Sequence, residues 1–151
     1  MVRLVIPAGA DPQVAATAFR QASSSVRRSE GVLVEWSPQP GTTAADVAAA
    51  WPGDDAVDLI GVDPGGEGTW AAEVAAPGGL AEWKSWAVSK RKRLAVHWTL
   101  DAGSDPRRVR QMAGWLDVAA RGSSLAYDTV DADETTDSRT LTAYRRLWAR
   151  R

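Results

Sequence analysis

One stretch of this 151-residue chain indicates its fold most clearly: Trp51-Pro52-Gly53-Asp54-Asp55-Ala56-Val57-Asp58-Leu59-Ile60-Gly61-Val62-Asp63. Its opening Trp-Pro-Gly ends a short Ala-rich helix that the sequence predicts over 43–50, because Pro and Gly interrupt helices. The part over 57–63 is a short apolar run with an acidic residue at its end, which predicts a strand. The stretch therefore predicts a helix, a tight connection and a buried strand.

The same pattern extends in both directions from this stretch. Four further apolar runs predict strands over 3–6, 32–36, 93–98 and 124–128. Asp-Pro pairs at 11–12 and 105–106 predict the starts of two helices, since Asp caps a helix and Pro favours its first turn. Further helices are predicted over 80–90 and from Ser138, which is predicted to cap the last helix, and residues 64–68 are predicted to form a turn.

Strands alternate with helices at intervals of about 30 residues, which is the period of a βαβ unit. The prediction is thus an α/β fold of five βα units around a parallel sheet, in one domain over 1–151.

Composition excludes several classes of function. The chain has eight Trp, one His and no Cys, which excludes disulfides and thiolate or His-rich zinc sites, so we expect no metal and no cofactor. Eighteen basic against nineteen acidic residues disfavour a nucleic-acid partner. No run resembles a signal peptide or a membrane span, so the expected location is the cytoplasm, or a virion if the source is a phage.

The carboxyl ends of the strands are where parallel α/β folds place their chemistry. Trp36 and Trp98 stand at two of these ends, with Asp63 and Asp128 at two others. Because indole faces suit sugar rings, these four residues are the candidates for glycan binding. The alternative for each Trp is that it fills the core, where aromatic side chains commonly lie.

Catalytic candidates are weaker. Glu35, Asp63 and His97 lie near strand ends and could serve as acid, base or nucleophile. Carboxylates at such positions, Asp101 among them, more often cap loops or form ion pairs, and a single His there is more often bonded into the sheet rim.

Four segments together carry a resemblance to a known family. The four segments are the helical segment from Phe19 to Arg27, residues 51–63, the run Lys92-Arg93-Leu94-Ala95-Val96-His97-Trp98 and the segment from Thr142 to Trp148. They resemble, in the same order along the chain, parts of glycoside hydrolase family 26 and related β-mannanase-like barrels. The resemblance is to strand four through helix eight. It implies that the chain is the second half of a (β/α)₈ barrel.

The chain departs from that family where the chemistry lies. Retaining glycosidases need two carboxylates, one as acid/base and one as nucleophile. Pro7 stands where the resemblance places the acid/base Glu, and His97 stands where it places the nucleophile before Trp98. The resemblance therefore implies a barrel that has lost both catalytic groups.

Half a barrel would also leave part of its sheet uncovered, since only a closed barrel has no edges. We expect residues facing the missing half to be drawn from a set of apolar strand positions: Val5, Leu33, Val34, Leu59, Ile60, Ala95, Val96 and Leu125. An exposed apolar face invites aggregation, so we expect a second copy, a different chain or a tight recurling of the strands to cover it.

The leading expectation is a non-catalytic structural or host-surface adhesion subunit with residual glycan binding. Short, degenerate glycosidase-like chains resemble minor tail proteins of phages that infect actinobacteria, which implies a place at a tail tip beside cell-surface polysaccharide. The alternatives are a glycoside hydrolase for β-linked polysaccharide that a partner chain completes, and a free carbohydrate-binding module.

Overall fold

The computed structural model describes residues 1–7, 9–64 and 69–149. Its strands are β1 (Val2–Val5), β2 (Val34–Ser37), β3 (Leu59–Val62), β4 (Arg93–Leu100) and β5 (Leu125–Ala132). Its helices are α1 (Pro12–Val26), α2 (Ala44–Val47), α3 (Trp70–Ala75), α4 (Leu80–Ser89), α5 (Pro106–Arg121) and α6 (Ser138–Trp148), with 3₁₀ turns at Ala48–Ala50 and Asp54–Ala56.

The five strands form one all-parallel sheet in the order β1-β2-β3-β4-β5. Each strand pairs with the next one along the chain, as strands do in a (β/α) barrel. The predicted α/β fold with five βα units is thereby confirmed. The helix α3 is an addition that the sequence pattern did not predict, and the turn predicted over 64–68 lies mostly outside the described residues.

Helix starts follow local chemistry. The Asp11 carboxylate accepts hydrogen bonds from the backbone N–H groups of Gln13 and Val14, at 2.9 and 3.0 Å, and thereby caps α1. Asp105 does the same for α5 by accepting from the Arg108 N–H at 2.7 Å. Both caps precede a Pro in the first turn, as the Asp-Pro pairs predicted. The last helix starts where predicted, but its cap is Asp137.

The main core lies between the sheet and its helices. Alternate strand residues point to this side, because successive side chains of a strand face opposite ways. They pack against apolar faces of α4 and α5, and the largest buried side chains of this layer are Val34, Trp36, Ile60, Leu94, Val96, Leu100, Leu80, Trp83, Met112 and Leu116.

The other face of the sheet differs from the apolar surface expected. Of the apolar positions named for this face, Val5, Leu59 and Ala95 do lie on it. The registers put Val34, Ile60, Val96 and Leu125 on the helix side with Trp36, so for these four the expectation was wrong. The inner face, opposite the helices, also carries six polar side chains: Arg3, Glu35, Ser37, His97, Tyr127 and Thr129. These polar side chains bond to one another, so the inner face holds a polar cluster beside its apolar residues.

Two edges of the sheet are open. Within the described part of the chain, β1 pairs only with β2, and β5 pairs only with β4. Val5 on the first edge is 51% exposed. An apolar groove of about 370 Å³ follows this edge, between β1 and α1, and is lined by Leu4, Ile6, Val14 and Ala18 among others. Such an edge presents unpaired backbone N–H and C=O groups to which another strand can pair.

Candidate functional site

Glu35 is the centre of the inner-face cluster. Its side chain is fully buried in the middle of β2. The oxygen Oε1 accepts hydrogen bonds from Ser37 Oγ at 2.8 Å and from His97 Nε2 at 2.7 Å. The oxygen Oε2 accepts from the hydroxyl of Tyr127, which reaches it from β5. Glu35 thus ties β2 to β4 and β5 across the curved sheet.

Arg3 completes the cluster from the edge strand. Its Nε donates to Ser37 Oγ at 2.9 Å and lies 3.4 Å from Glu35 Oε1. The positive charge beside the buried carboxylate compensates part of its desolvation cost. Every strand except β3 therefore contributes a polar side chain.

The strand β3 leaves room for the cluster at Gly61, which has no side chain. A Cβ built on this residue would overlap Glu35 Oε1 and Ser37 Oγ. The carboxylate of Glu35 therefore crosses β3 through the space that Gly61 leaves open. Gly61 belongs to the sequence stretch 51–63, and its lack of a side chain provides the space that the cluster occupies.

Burial and hydrogen bonding act in opposite directions on Glu35. Burial alone would raise the pKa of this carboxyl, but the hydrogen bonds from His97, Tyr127 and Ser37 and the charge of His97 outweigh it, and the pKa is lowered. Glu35 is therefore ionised in the folded protein at neutral pH. For Tyr127, burial and the hydrogen bond to Glu35 raise the pKa of the phenol, so Tyr127 stays a donor.

His97 fits the cluster in either protonation state. An ionised carboxylate only accepts, so Nε2 carries a proton toward Glu35. The other ring nitrogen, Nδ1, lies 2.8 Å from Thr129 Oγ1. The Thr129 hydroxyl can donate to neutral His97 or accept from the cation, so both ring nitrogens are engaged in either case.

This geometry limits the chemistry of the cluster. Glu35 is out of reach of solvent, and its two oxygens already receive hydrogen bonds from three side chains in addition to the nearby Arg3. No second carboxylate of the described residues hydrogen-bonds into the cluster, whereas a glycosidase needs two. The arrangement is suited to holding strands together.

The structure separates the other predicted site residues from the cluster. Asp128 faces the helices and accepts a hydrogen bond from Trp148 Nε1 at 2.8 Å. Asp101 accepts from Gly103 N and Ser104 Oγ, both at 2.9 Å, and so caps its own loop. Asp63 follows β3 and is partly buried, and Pro7 follows β1.

Trp36 and Trp98 lie in the core on the helix side of the sheet. Trp36 is completely buried, with the rings of Trp51 and Trp86 at centroid distances of 5.2 Å each. Trp98 is 3% exposed and stacks on Trp70 at 5.8 Å. Protein atoms thus enclose both indoles, as the core-filling alternative expects.

The sequence pattern indicated Glu35 and His97 as candidate site residues, but it did not indicate the residues that surround them. Ser37, Tyr127 and Thr129 share one signal, which is that each is a polar residue at an alternating position of an apolar strand. Reading each strand as two separate faces would have grouped them with Glu35 and His97.

Comparison with known proteins leaves the site to be interpreted from its geometry. Neither the family models nor the curated proteins that were searched give a match to this chain. Among the described residues, none of the helices has the length and apolar character needed to span a membrane.

Proposed function

We propose that this chain is a non-catalytic building block of a larger protein assembly, whose open sheet edges are completed by other copies of the chain. The observation that carries the proposal is the pair of unpaired edges, β1 and β5, in an all-parallel sheet. An open edge presents unpaired N–H and C=O groups, to which a strand of another molecule can pair.

The two edges are compatible with head-to-tail pairing. The Val2 N–H bonds to Leu33 O and the Ile6 N–H to Ser37 O, which leaves the N–H groups of Arg3 and Val5 directed to the open side. On the inner face, β1 carries the positive Arg3 and β5 carries the exposed, negative Asp131. A β5 strand placed beside β1 of another copy would bring groups of opposite charge to the same face.

The cluster around Glu35 supports a non-catalytic role. A carboxylate that is fully buried and hydrogen-bonded on both oxygens holds strands in place and is closed off from solvent. A phage tail tip, which the resemblance to glycosidase-like minor tail proteins implies, is a setting in which such a repeated, inactive subunit would serve.

Light scattering on an edge variant tests the assembly. Val5→Pro removes an N–H on the open side and leaves the bonds of β1 to β2 in place, and Pro is tolerated on edge strands. We expect the unaltered protein to form oligomers whose mass rises with concentration, and Val5→Pro to be monomeric. Val5→Thr, which keeps the N–H, is the matched control and should still assemble.

A turnover assay tests the absence of catalysis. We expect no hydrolysis of β-mannan, arabinogalactan or peptidoglycan fragments by the assembled protein. Hydrolysis that persists in His97→Ala and disappears in Glu35→Gln would show that Glu35 is a catalytic carboxylate and would overturn the proposal.

A further inference from the structure

A second feature of the molecule lies apart from the sheet edges, at the carboxyl end of the sheet. The starts of α3 and α5 border a cleft of about 430 Å³, whose lining includes Trp70, Asp105, Arg107, Arg108 and Gln111. This volume is in the range of small-ligand sites, roughly 300–1,000 Å³. None of the candidate residues from the sequence lies in it.

Trp70 gives the cleft a supported aromatic wall. Its indole stacks on Trp98 with an interplanar angle of 22° and is partly exposed. Because Trp98 covers one face of this indole, the part that borders the cleft is the opposite face or the ring edge. The strand-end Trp98 thus acts as the support of an aromatic surface.

Arg108 forms a fixed part of the wall. It makes an ion pair with Glu73, which is nearly fully buried in α3. Burial raises the pKa of Glu73, and the charge and hydrogen bond of Arg108 oppose that rise. The pair holds α3 against α5 and so fixes Trp70 relative to the residues of α5.

Arg107 and Gln111 are the free polar groups of the cleft. Both side chains line it from α5, and neither has a hydrogen bond or ion pair with the described residues. The carboxylate of Asp105 is engaged in capping the helix. The cleft therefore offers a guanidinium and an amide that are available to a ligand.

We propose that this cleft binds a saccharide that carries a carboxylate, such as a uronic acid unit. The apolar C–H face of the sugar ring would lie on Trp70, the sugar carboxylate would pair with Arg107, and a hydroxyl would bond to Gln111. A guanidinium pairs well with a carboxylate because two parallel N–H donors match its two oxygens. The proposal does not depend on the assembly of the sheet edges.

Titration with trigalacturonate, followed by the backbone and indole N–H resonances of the protein, tests the proposal. At roughly 10 mM probe, well above a millimolar Kd, we expect saturable shifts at the Trp70 indole and at Gln111. The methyl ester of the same trisaccharide, which lacks the charge, should bind about tenfold more weakly. No shifts at these residues, or equal binding of the ester, would overturn the proposal.

Variants distinguish the cleft from a general attraction of acidic sugars. Arg107→Gln should weaken trigalacturonate binding about tenfold and leave binding of the ester unchanged. Arg110→Gln removes an exposed charge from the same helix outside the cleft and should have no effect. If Arg110→Gln weakens binding as much as Arg107→Gln, the site is not the cleft. Gln111→Ala serves as a second cleft variant that leaves the Trp70–Trp98 stack intact.

Discussion

At the scale of single residues, the hydrogen bonds of Glu35 join three strands of the sheet. The carboxylate, His97 and Tyr127 are residue types that active sites use, but here each satisfies the others inside the curved sheet. A buried carboxylate with few partners would be costly, whereas one with several charge-assisted hydrogen bonds can add stability. The consequences are therefore expected in folding measurements.

Acid should weaken the protein through Glu35. The lowered pKa means that the folded state favours the ionised carboxyl, so this contribution is complete above the ordinary value of 4.5 and is lost as the pH falls through the lower folded pKa. Glu35→Gln should cost about 2–3 kcal/mol at pH 7. Urea unfolding should show the difference between the two proteins shrinking at pH 3, and a constant difference would contradict this role.

Gly61→Ala should destabilise the protein although it adds a single methyl group. The new Cβ overlaps Glu35 and Ser37, so the cluster must open, at a cost of about 2–3 kcal/mol. Gly114→Ala on α5 is the control, since nothing lies within 4 Å of the new Cβ and Ala favours a helix, which predicts a gain of about 0.5–1 kcal/mol. Urea unfolding of both variants gives the comparison, and equal effects would show that Gly61 has no special place.

At the scale of helices and strands, much of the fold was predictable because its signals are local. The Asp-Pro pairs located the starts of α1 and α5, and the apolar runs located all five strands. The ends of the strands were harder to predict. The strands β4 and β5 continue to Leu100 and Ala132, because their pairing holds residues such as Asp131, which has a low strand propensity, in the sheet.

The helix α3 and the polar cluster were missed for a common reason, which is that both depend on contacts between distant residues. The fit of α3 is set by Trp70 on Trp98 and by Glu73 beside Arg108. In the same way, Tyr127 finds Glu35 only after the sheet has curved, 92 positions apart in the chain. A single sequence indicates which residues are polar, and the sheet geometry decides which of them meet.

The Asp11 cap gives a prediction at this scale. Asp11→Ala removes two hydrogen bonds to the first turn of α1 and should cost about 1 kcal/mol, whereas Asp11→Asn retains an accepting oxygen and should cost much less. Thermal unfolding of the two variants, with helix content followed by circular dichroism, measures the difference. Equal losses would mean that the carboxylate does not act as a cap.

At the scale of the whole molecule, the inner face and the edges have different roles. The sequence predicts an apolar inner face that a partner would cover, whereas the structure places polar side chains of the chain itself on that face, beside Leu59 and Ala95. Under the proposed assembly, a partner is therefore expected at the edges, where β1 and the groove beside α1 are uncovered among the described residues. We therefore expect contacts between copies to begin at β1.

Hydrogen exchange at β1 tests most directly whether copies of the chain pair through this edge. The N–H groups of Arg3 and Val5 point to the open side, while those of Val2 and Ile6 bond to Leu33 and Ser37 within the chain and serve as internal controls. If copies pair through β1, exchange at the N–H groups of Arg3 and Val5 slows markedly as protein concentration rises, with little change at Val2 and Ile6. Fast exchange at Arg3 and Val5 at every concentration, in a protein that stays folded, would contradict this pairing.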